Sequence, residues 1–308
     1  MGLRIQTNMQ SINAQRNLVA ANDANTQSAE KLSSGYRINK ASDDAAGLAI
    51  SEKLKADIRG LNMAKRNAND GISLVQTAEG GLNEVGNILS RLRELSVQGA
   101  SDTVGDNERG FLNKEFAQLK DEIDRITKST EYNGTMLLVG DQSNLSENLK
   151  NRSNQYPLEI QVGKNYYADV DGLDQRNAVN IIKIDLQNID VNTEGEAGLD
   201  IGASDNENGT RVDNKVSAQN SIDKMDKAIN KVSGYRAYLG AIQSRLTSSV
   251  TNLSIQSENN SAANSRIRDT DFAEETAKST QSSIIKQAGV AILSQANQSP
   301  QAALRLLG

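Results

Sequence analysis

Residues 222–253 read IDKMDKAINKVSGYRAYLGAIQSRLTSSVTNL. Within them Ile222, Met225, Ile229, Val232, Arg236, Leu239, Gln243, Leu246, Val250 and Leu253 recur at alternating steps of three and four residues. That is the period of a helix laying one seam against a partner in coiled-coil-like packing. Arg236 and Gln243 read as polar intrusions in the seam, of the kind that fixes register at some cost in stability. The stretch predicts a mainly α protein built on long helices, with this seam as intramolecular bundle core rather than an intermolecular zipper.

Toward the N-terminus, the chain from Asp43 to about Gln98 forms a second long helix by the same criterion, with Leu54, Ile58, Leu61, Ala68, Ile72, Val75, Leu82 and Leu89 three, four or seven apart. Such a helix runs on the order of 80 Å at 1.5 Å per residue. Gly60, Gly71, Gly80, Gly81 and Gly86 interrupt it, each at roughly 1 kcal/mol relative to Ala, so tertiary contacts must support it. A shorter helix follows, capped by Asp106 or Asn107 and carrying Leu112, Phe116, Leu119, Ile123 and Ile126. Tyr132-Asn133-Gly134 then has the composition of a reversing turn.

Between 141 and 212 the helical period is lost, and Leu158-Glu159-Ile160-Gln161-Val162 and Ile182-Lys183-Ile184-Asp185-Leu186 alternate as strands do. So few apolar positions predict a small β insert leaning on neighbouring helices. Both ends of the chain are thinly amphipathic: Leu3, Ile5, Met9, Ile12, Leu18 and Val19 at the start; Ile284, Ile285, Ala288, Ala291, Ile292, Leu293, Leu304, Leu306 and Leu307 at the close. Asp269, Thr270 and Asp271 ahead of Glu274 and Glu275 form a helix-start signature. The order is nested, with helical ends around longer helices around the insert. Each terminal segment alone has too little apolar face to offset its ordering entropy, so ordering is expected when partner subunits cover it.

Composition removes whole classes of chemistry. The 308 residues include no Cys, His or Trp, which excludes Ser-His-Asp and Cys-His catalysis, zinc fingers and disulfide frameworks. A metal has only oxygen ligands to use, as calcium- or magnesium-like ions accept. With 34 basic and 39 acidic residues and a net charge of -5, no basic surface predicts nucleic-acid binding. No signal peptide and no run long enough for membrane insertion is read. The carboxylate pairs Asp43-Asp44 and Glu274-Glu275 sit where helix-start charges belong; neighbours on a helix diverge by about 100° and do not face each other across a cleft. Gly80-Gly81 lacks the Lys-Ser/Thr of a phosphate loop. Asn133-Gly134-Thr135 and Asn208-Gly209-Thr210 match the N-glycan acceptor pattern, a common triplet in an Asn-rich chain.

Four blocks resemble bacterial flagellins, the subunits of the flagellar filament. They are Asn8-Met9-Gln10-Ser11-Ile12-Asn13-Ala14-Gln15-Arg16-Asn17-Leu18; Leu32-Ser33-Ser34-Gly35-Tyr36-Arg37-Ile38-Asn39 with Ala41-Ser42-Asp43-Asp44-Ala45-Ala46-Gly47-Leu48-Ala49-Ile50; Ile267-Arg268-Asp269-Thr270-Asp271-Phe272-Ala273; and Gln287-Ala288-Gly289-Val290-Ala291-Ile292-Leu293-Ser294-Gln295-Ala296-Asn297-Gln298. The resemblance implies a non-enzymatic, cofactor-free structural subunit that self-polymerises into the extracellular filament. It implies export through the flagellar type III apparatus with an export chaperone, and assembly beside flagellar cap and hook-filament junction proteins. The implied division is 1–42 with 268–308 as a terminal coiled-coil domain lining the filament channel, 43–140 with 213–267 as a helical wall domain, and 141–212 as its β-rich insert, without a large outer domain.

Polymerisation is assigned to Leu3, Ile5, Met9, Ile12, Ile284, Ile285, Ile292, Leu304, Leu306 and Leu307. The wall-helix seam is assigned to Leu54, Ile58, Leu61, Ile72, Val75, Leu82, Ile222, Met225, Ile229, Val232, Leu239 and Leu246. Residues 89–98 resemble the segment by which many flagellins engage Toll-like receptor 5, which implies a recognition surface at Leu89, Arg91, Leu95 and Glu115; Ser90 stands where stimulatory relatives commonly carry Gln. A hook-filament junction protein of the same architecture, a coiled-coil adaptor and an oxygen-ligand metal hydrolase are the alternative classes.

Overall fold

The computed structural model describes residues 8–140, 157–166, 179–195, 198–203 and 209–305, with side chains to residue 298. Among these are five helices: α1 (Met9–Ser34), α2 (Ala45–Gly99), α3 (Asp106–Ser129), α4 (Lys215–Arg268) and α5 (Phe272–Arg305). Two antiparallel strand pairs are present, β1 (Glu131–Tyr132) with β2 (Thr135–Met136) and β3 (Leu158–Gln161) with β4 (Ile181–Ile184). The chain divides into a terminal unit, Met1–Ile58 with Glu258–Gly308, and a central unit, Arg59–Ser257.

Helix starts follow from local chemistry. The Asn8, Asp44, Asn214 and Asp271 side chains accept backbone N–H bonds from Ser11, Gly47, Ser217 and Ala273 at 3.1, 2.8, 2.8 and 2.8 Å, each worth about 1 kcal/mol. The expected cap of α3 is corrected: its N-cap is Gly105, with no side-chain bond, and Asp106 and Glu108 lie inside the first turn. There their charges favour the positive end of the helix dipole.

In the central unit α2 runs antiparallel to both α3 and α4. Arg93 meets Asp226, and the Gly71 backbone lies against Leu246. Arg91 meets Glu115, and Arg109 reaches Gly99. The buried stripe of α2 is Leu61, Ala64, Ala68, Gly71, Val75, Ala78, Leu82, Val85, Leu89 and Leu92, an unbroken three-four alternation. Half of it, Leu61, Ala68, Val75, Leu82 and Leu89, is visible as apolar recurrence. The other half is largely Ala and Gly, which let the partner backbones come close.

The seam of α4 departs from expectation in the same way. Met225, Val232, Leu239, Leu246 and Leu253 are buried as read, but the alternate positions are Ser221, Ala228, half-buried Tyr235 and Ile242, one residue before Ile222, Ile229, Arg236 and Gln243. Ile222 and Ile229 are half-buried beside the seam. Arg236 is exposed, 3.9 Å from Glu79, and does not intrude into the core.

The β1–β2 turn holds Asn133 at φ 50° and Gly134 at φ 79°, the paired left-handed conformation of the tight hairpin turn that Asn-Gly favours. Beyond it Leu137, Leu138 and Val139 are buried, and Val191 N–H donates to the Leu138 carbonyl at 3.0 Å. The β3–β4 pair aligns Leu158 with Ile184 and Ile160 with Ile182. Their side chains join the helices in one continuous core with Leu74, Leu82, Phe116, Ile123, Leu186, Ile201 and Val212. The insert thus supplies a face of the helical core, as its low apolar content requires.

Candidate functional site

The terminal unit brings the two ends of the chain together as an antiparallel helix pair. Asn8 Nδ2 donates to the Ala296 carbonyl at 2.7 Å, Ser11 Oγ to Asn297 Oδ1 at 2.9 Å, and Lys286 Nζ to Asn22 Oδ1 at 2.8 Å. Asn25 Nδ2 donates to the Ser279 carbonyl at 3.4 Å. From Ser11 through Asn22 to Asn25 the partners in α5 descend, from Asn297 through Lys286 to Ser279. The covered positions of α1 are Ser11, Ala14, Leu18, Ala21, Asn25, Ser28 and Leu32, and those of α5 include Glu275, Ser279, Ser282, Gly289, Leu293 and Ala296. This seam keeps the three-four alternation, but apart from half-buried Leu18, Leu32 and Leu293 its side chains are small or polar. It permits close approach and removes little apolar area from water, at about 25 cal/mol per Å².

Most of the other large apolar side chains of the pair face outward. Met9, Ile12, Val19, Ile284, Ile285, Val290 and Ile292 are between 42% and 61% exposed. With Phe272, Ile284 and Ile285 line one open apolar groove on α5. Of the residues assigned to polymerisation, Met9, Ile12, Ile284, Ile285 and Ile292 therefore lie on exposed faces of the pair. Leu3, Ile5, Leu306 and Leu307, and the side chain of Leu304, lie outside the described residues.

The pair is tied off where α1 ends and α5 begins. Gly35 at φ 73° ends α1, its N–H donating to the Lys31 carbonyl at 2.9 Å. Tyr36 bridges Asp269, Arg37 N–H donates to the Arg268 carbonyl at 2.6 Å, and Thr270 N–H donates to the Gly35 carbonyl at 3.0 Å. The Arg268 guanidinium stacks 4.7 Å from the Tyr36 ring centre and holds Glu52 at 2.6 Å. Tyr36 and Arg268 lie in two separate sequence blocks, and periodicity carries no signal for a stacked pair so far apart in the chain. Asp43 and Asp44 serve as local caps: Asp43 Oδ2 accepts the Asn39 and Lys40 N–H groups, both at 3.0 Å, which lowers its pKa. Among the described residues no group of three or more acidic side chains is arranged to hold a metal ion.

In the central unit Leu61, Val75, Leu82, Met225, Val232, Leu239 and Leu246 are buried, while Ile72, Ile222 and Ile229 are half-buried. Leu54 and Ile58, half-buried, belong to the terminal unit. The surface expected at residues 89–98 is altered by the packing: Leu89 and Leu95 are fully enclosed in the core and present nothing to solvent. Arg91 and Glu115 remain exposed, paired at 2.9 Å, with Glu94 3.1 Å from the same guanidinium. The bond to Glu115, then that to Glu94, raises the Arg91 pKa.

Comparison with known proteins accounts for most of the chain. Residues 5–143 match the bacterial flagellin N-terminal helical region, and residues 222–307 match the bacterial flagellin C-terminal helical region. The chain is 43% identical to a flagellin of Halalkalibacterium halodurans over 98% of its length and 99% of the relative's. It is 41% identical to a flagellin of Bacillus subtilis over 99% and 100%, and 36% identical to flagellin D of Vibrio cholerae over the whole of both. A crystal structure of Bacillus cereus flagellin is 29% identical, with a TM-score of 0.46, covering 61% of this chain and 88% of that one.

Proposed function

The chain belongs to the bacterial flagellin family, and from that premise we propose how this subunit assembles and what it meets. The family makes the chain a structural subunit that self-assembles into the extracellular flagellar filament. No described helix is long and apolar enough to cross a membrane.

Residues 1–42 and 268–308 line the filament channel, 43–140 and 213–267 form the surrounding wall, and 141–212 are the wall's β-rich insert. The observation that carries this reading is the division of labour within the terminal pair: mainly small and polar residues between the helices, with Leu18, Leu32 and Leu293 half-buried among them, and Met9, Ile12, Val19, Ile285 and Ile292 outside. Apolar faces left open on both partners fit a pair completed by neighbouring subunits. The subunit passes through the type III export apparatus with a chaperone and polymerises beyond the hook-filament junction under the cap. It performs no catalysis. Free in solution, it meets Toll-like receptor 5 through the exposed Arg91–Glu115 surface, with Leu89 and Leu95 acting from beneath as supports.

Electron microscopy of the monomer on filament seeds tests the reading, beside a chain lacking residues 1–40 and 268–308. Long filaments from the intact chain alone are expected. Short capped oligomers from the intact chain would instead favour the junction-protein reading. Ile12→Asp and Ile285→Asp should each leave a soluble helical monomer that does not elongate seeds, and normal elongation would refute the assignment of those faces.

A further inference from the structure

We infer that Met9 is a modification site through which peroxides control assembly: oxidation of its thioether to the sulfoxide in the free subunit stops that subunit from elongating a filament. The effect on assembly rests on the filament reading, whereas the choice of sulfur rests on the subunit alone. The chain holds five Met and no Cys, so all of its sulfur is thioether, a group that peroxide oxidises under mild conditions. Four of these residues are described, and the fold divides them evenly. Met225 is fully enclosed in the α4 seam, and Met136 on β2 is 4% exposed. Met9 is 55% exposed and Met63 49%. Peroxide must touch sulfur to react, so Met9 and Met63 are open to it and the other two are not.

Location separates the two open sulfurs. Met63 lies along α2 in the central unit, between Leu61 and Ala64, which are buried in one cluster with Leu253. Met9 lies in the first turn of α1, where the Asn8 side chain accepts the Ser11 N–H and donates to the Ala296 carbonyl. The backbone at Met9 is thus fixed in the terminal pair while its side chain stays outside. With Ile12 and Val19, Met9 makes up the exposed large apolar side chains of α1, on the face that assembly is to cover. In the reaction a sulfur lone pair attacks one oxygen of hydrogen peroxide. The S–O bond forms, the O–O bond breaks and water leaves, with sulfur giving up the two electrons that the peroxide takes. A polar side chain replaces an apolar one, and covering a polar group without a hydrogen-bond partner is costly. The same cover shuts peroxide out, so the modification selects free subunits and spares those already assembled.

The test treats the full-length subunit with hydrogen peroxide, maps the sulfoxides by peptide mass spectrometry and measures seeded elongation. Met9 and Met63 should be oxidised well ahead of Met136 and Met225, with the circular dichroism unchanged. The critical concentration for elongation should rise by about tenfold or more, a tenfold step being about 1.4 kcal/mol. Methionine sulfoxide reductases should restore it. Met9→Leu, similar in size and polarity, should elongate equally well before and after peroxide, while Met63→Leu should lose elongation as the native chain does. Met9 in assembled filaments should resist the same treatment. If the untreated native chain fails to elongate seeds, the filament reading falls and this switch with it. If the untreated chain elongates and the oxidised chain matches it, or if peroxide also stops Met9→Leu, only the role of Met9 falls. Oxidation of Met136 and Met225 as fast as Met9, or of Met9 as fast in filaments as in the free subunit, would likewise overturn the inference.

Discussion

Arg109 and Lys120 are cations buried on α3, and each solves a backbone problem. Arg109 donates from Nε to the Gly99 carbonyl at 2.9 Å and from Nη2 to the Ser101 carbonyl at 2.9 Å, with Asp106 at 2.8 Å balancing its charge. It satisfies carbonyls that the end of α2 leaves without helical partners. Arg109→Met should cost about 2 kcal/mol or more, read as a lower urea midpoint, because charged hydrogen bonds to buried carbonyls are lost together. Lys120 Nζ donates to the Ala203 and Thr210 carbonyls at 2.9 and 3.2 Å, fastening these two residues to α3. Burial first, and then the Arg211 cation, bring its pKa from 10.5 to about 8, with Lys224 acting the same way and Asp121 and Asp124 opposing. Between those two values the unfolded chain holds a proton that the folded chain has released, so this residue adds stability as pH rises from about 8 toward 10.5. The gap in urea midpoint between the native chain and Lys120→Met should widen across that window; a constant gap would contradict it.

At the scale of elements, α2 separates two uses of glycine. A Cβ on Gly99 would overlap the Val212 side chain, and one on Gly81 would come within 2.8 Å of Leu138 and Thr130. Gly80 and Gly86 have nothing within 4 Å of where a Cβ would sit. Gly80→Ala and Gly86→Ala should therefore each stabilise the chain by about 0.5–1 kcal/mol through helix propensity. Gly99→Ala should lower the melting temperature, since Val212 must move. Thermal melts of the three variants check both signs. The same close approach explains why the seams were only half legible. Leu and Val recurrences marked one position per heptad, while Ala64, Gly71, Ala78 and Ala228 are apolar contacts that hydrophobic periodicity scarcely registers.

For the whole molecule, the terminal pair and the central core use one geometric period with different shares of large apolar residues. The central seam alternates small residues with buried Leu, Val, Ile and Met; the terminal seam is mainly Ala, Ser and Gly, with Leu18, Leu32 and Leu293 half-buried, and leaves Met9, Ile12, Ile285 and Ile292 exposed. Ala14→Leu with Ala21→Leu should force α1 from α5, break the Asn8 and Asn22 bonds, and slow seeded elongation in electron micrographs, while leaving the urea transition of the central unit in place. An unchanged elongation rate would mean the close seam is dispensable to assembly. The sequence alone determined the long helices, the Asn-Gly hairpin, the β insert and the family, because period, turn chemistry and contiguous motifs are local properties of a chain. Only the tertiary structure decided that Leu95 is core, that Arg236 lies outside the seam, and that Tyr36 meets Arg268. Which face of an amphipathic helix is covered, and by what, depends on partners distant in sequence, and small residues gain their packing role only when another backbone comes close.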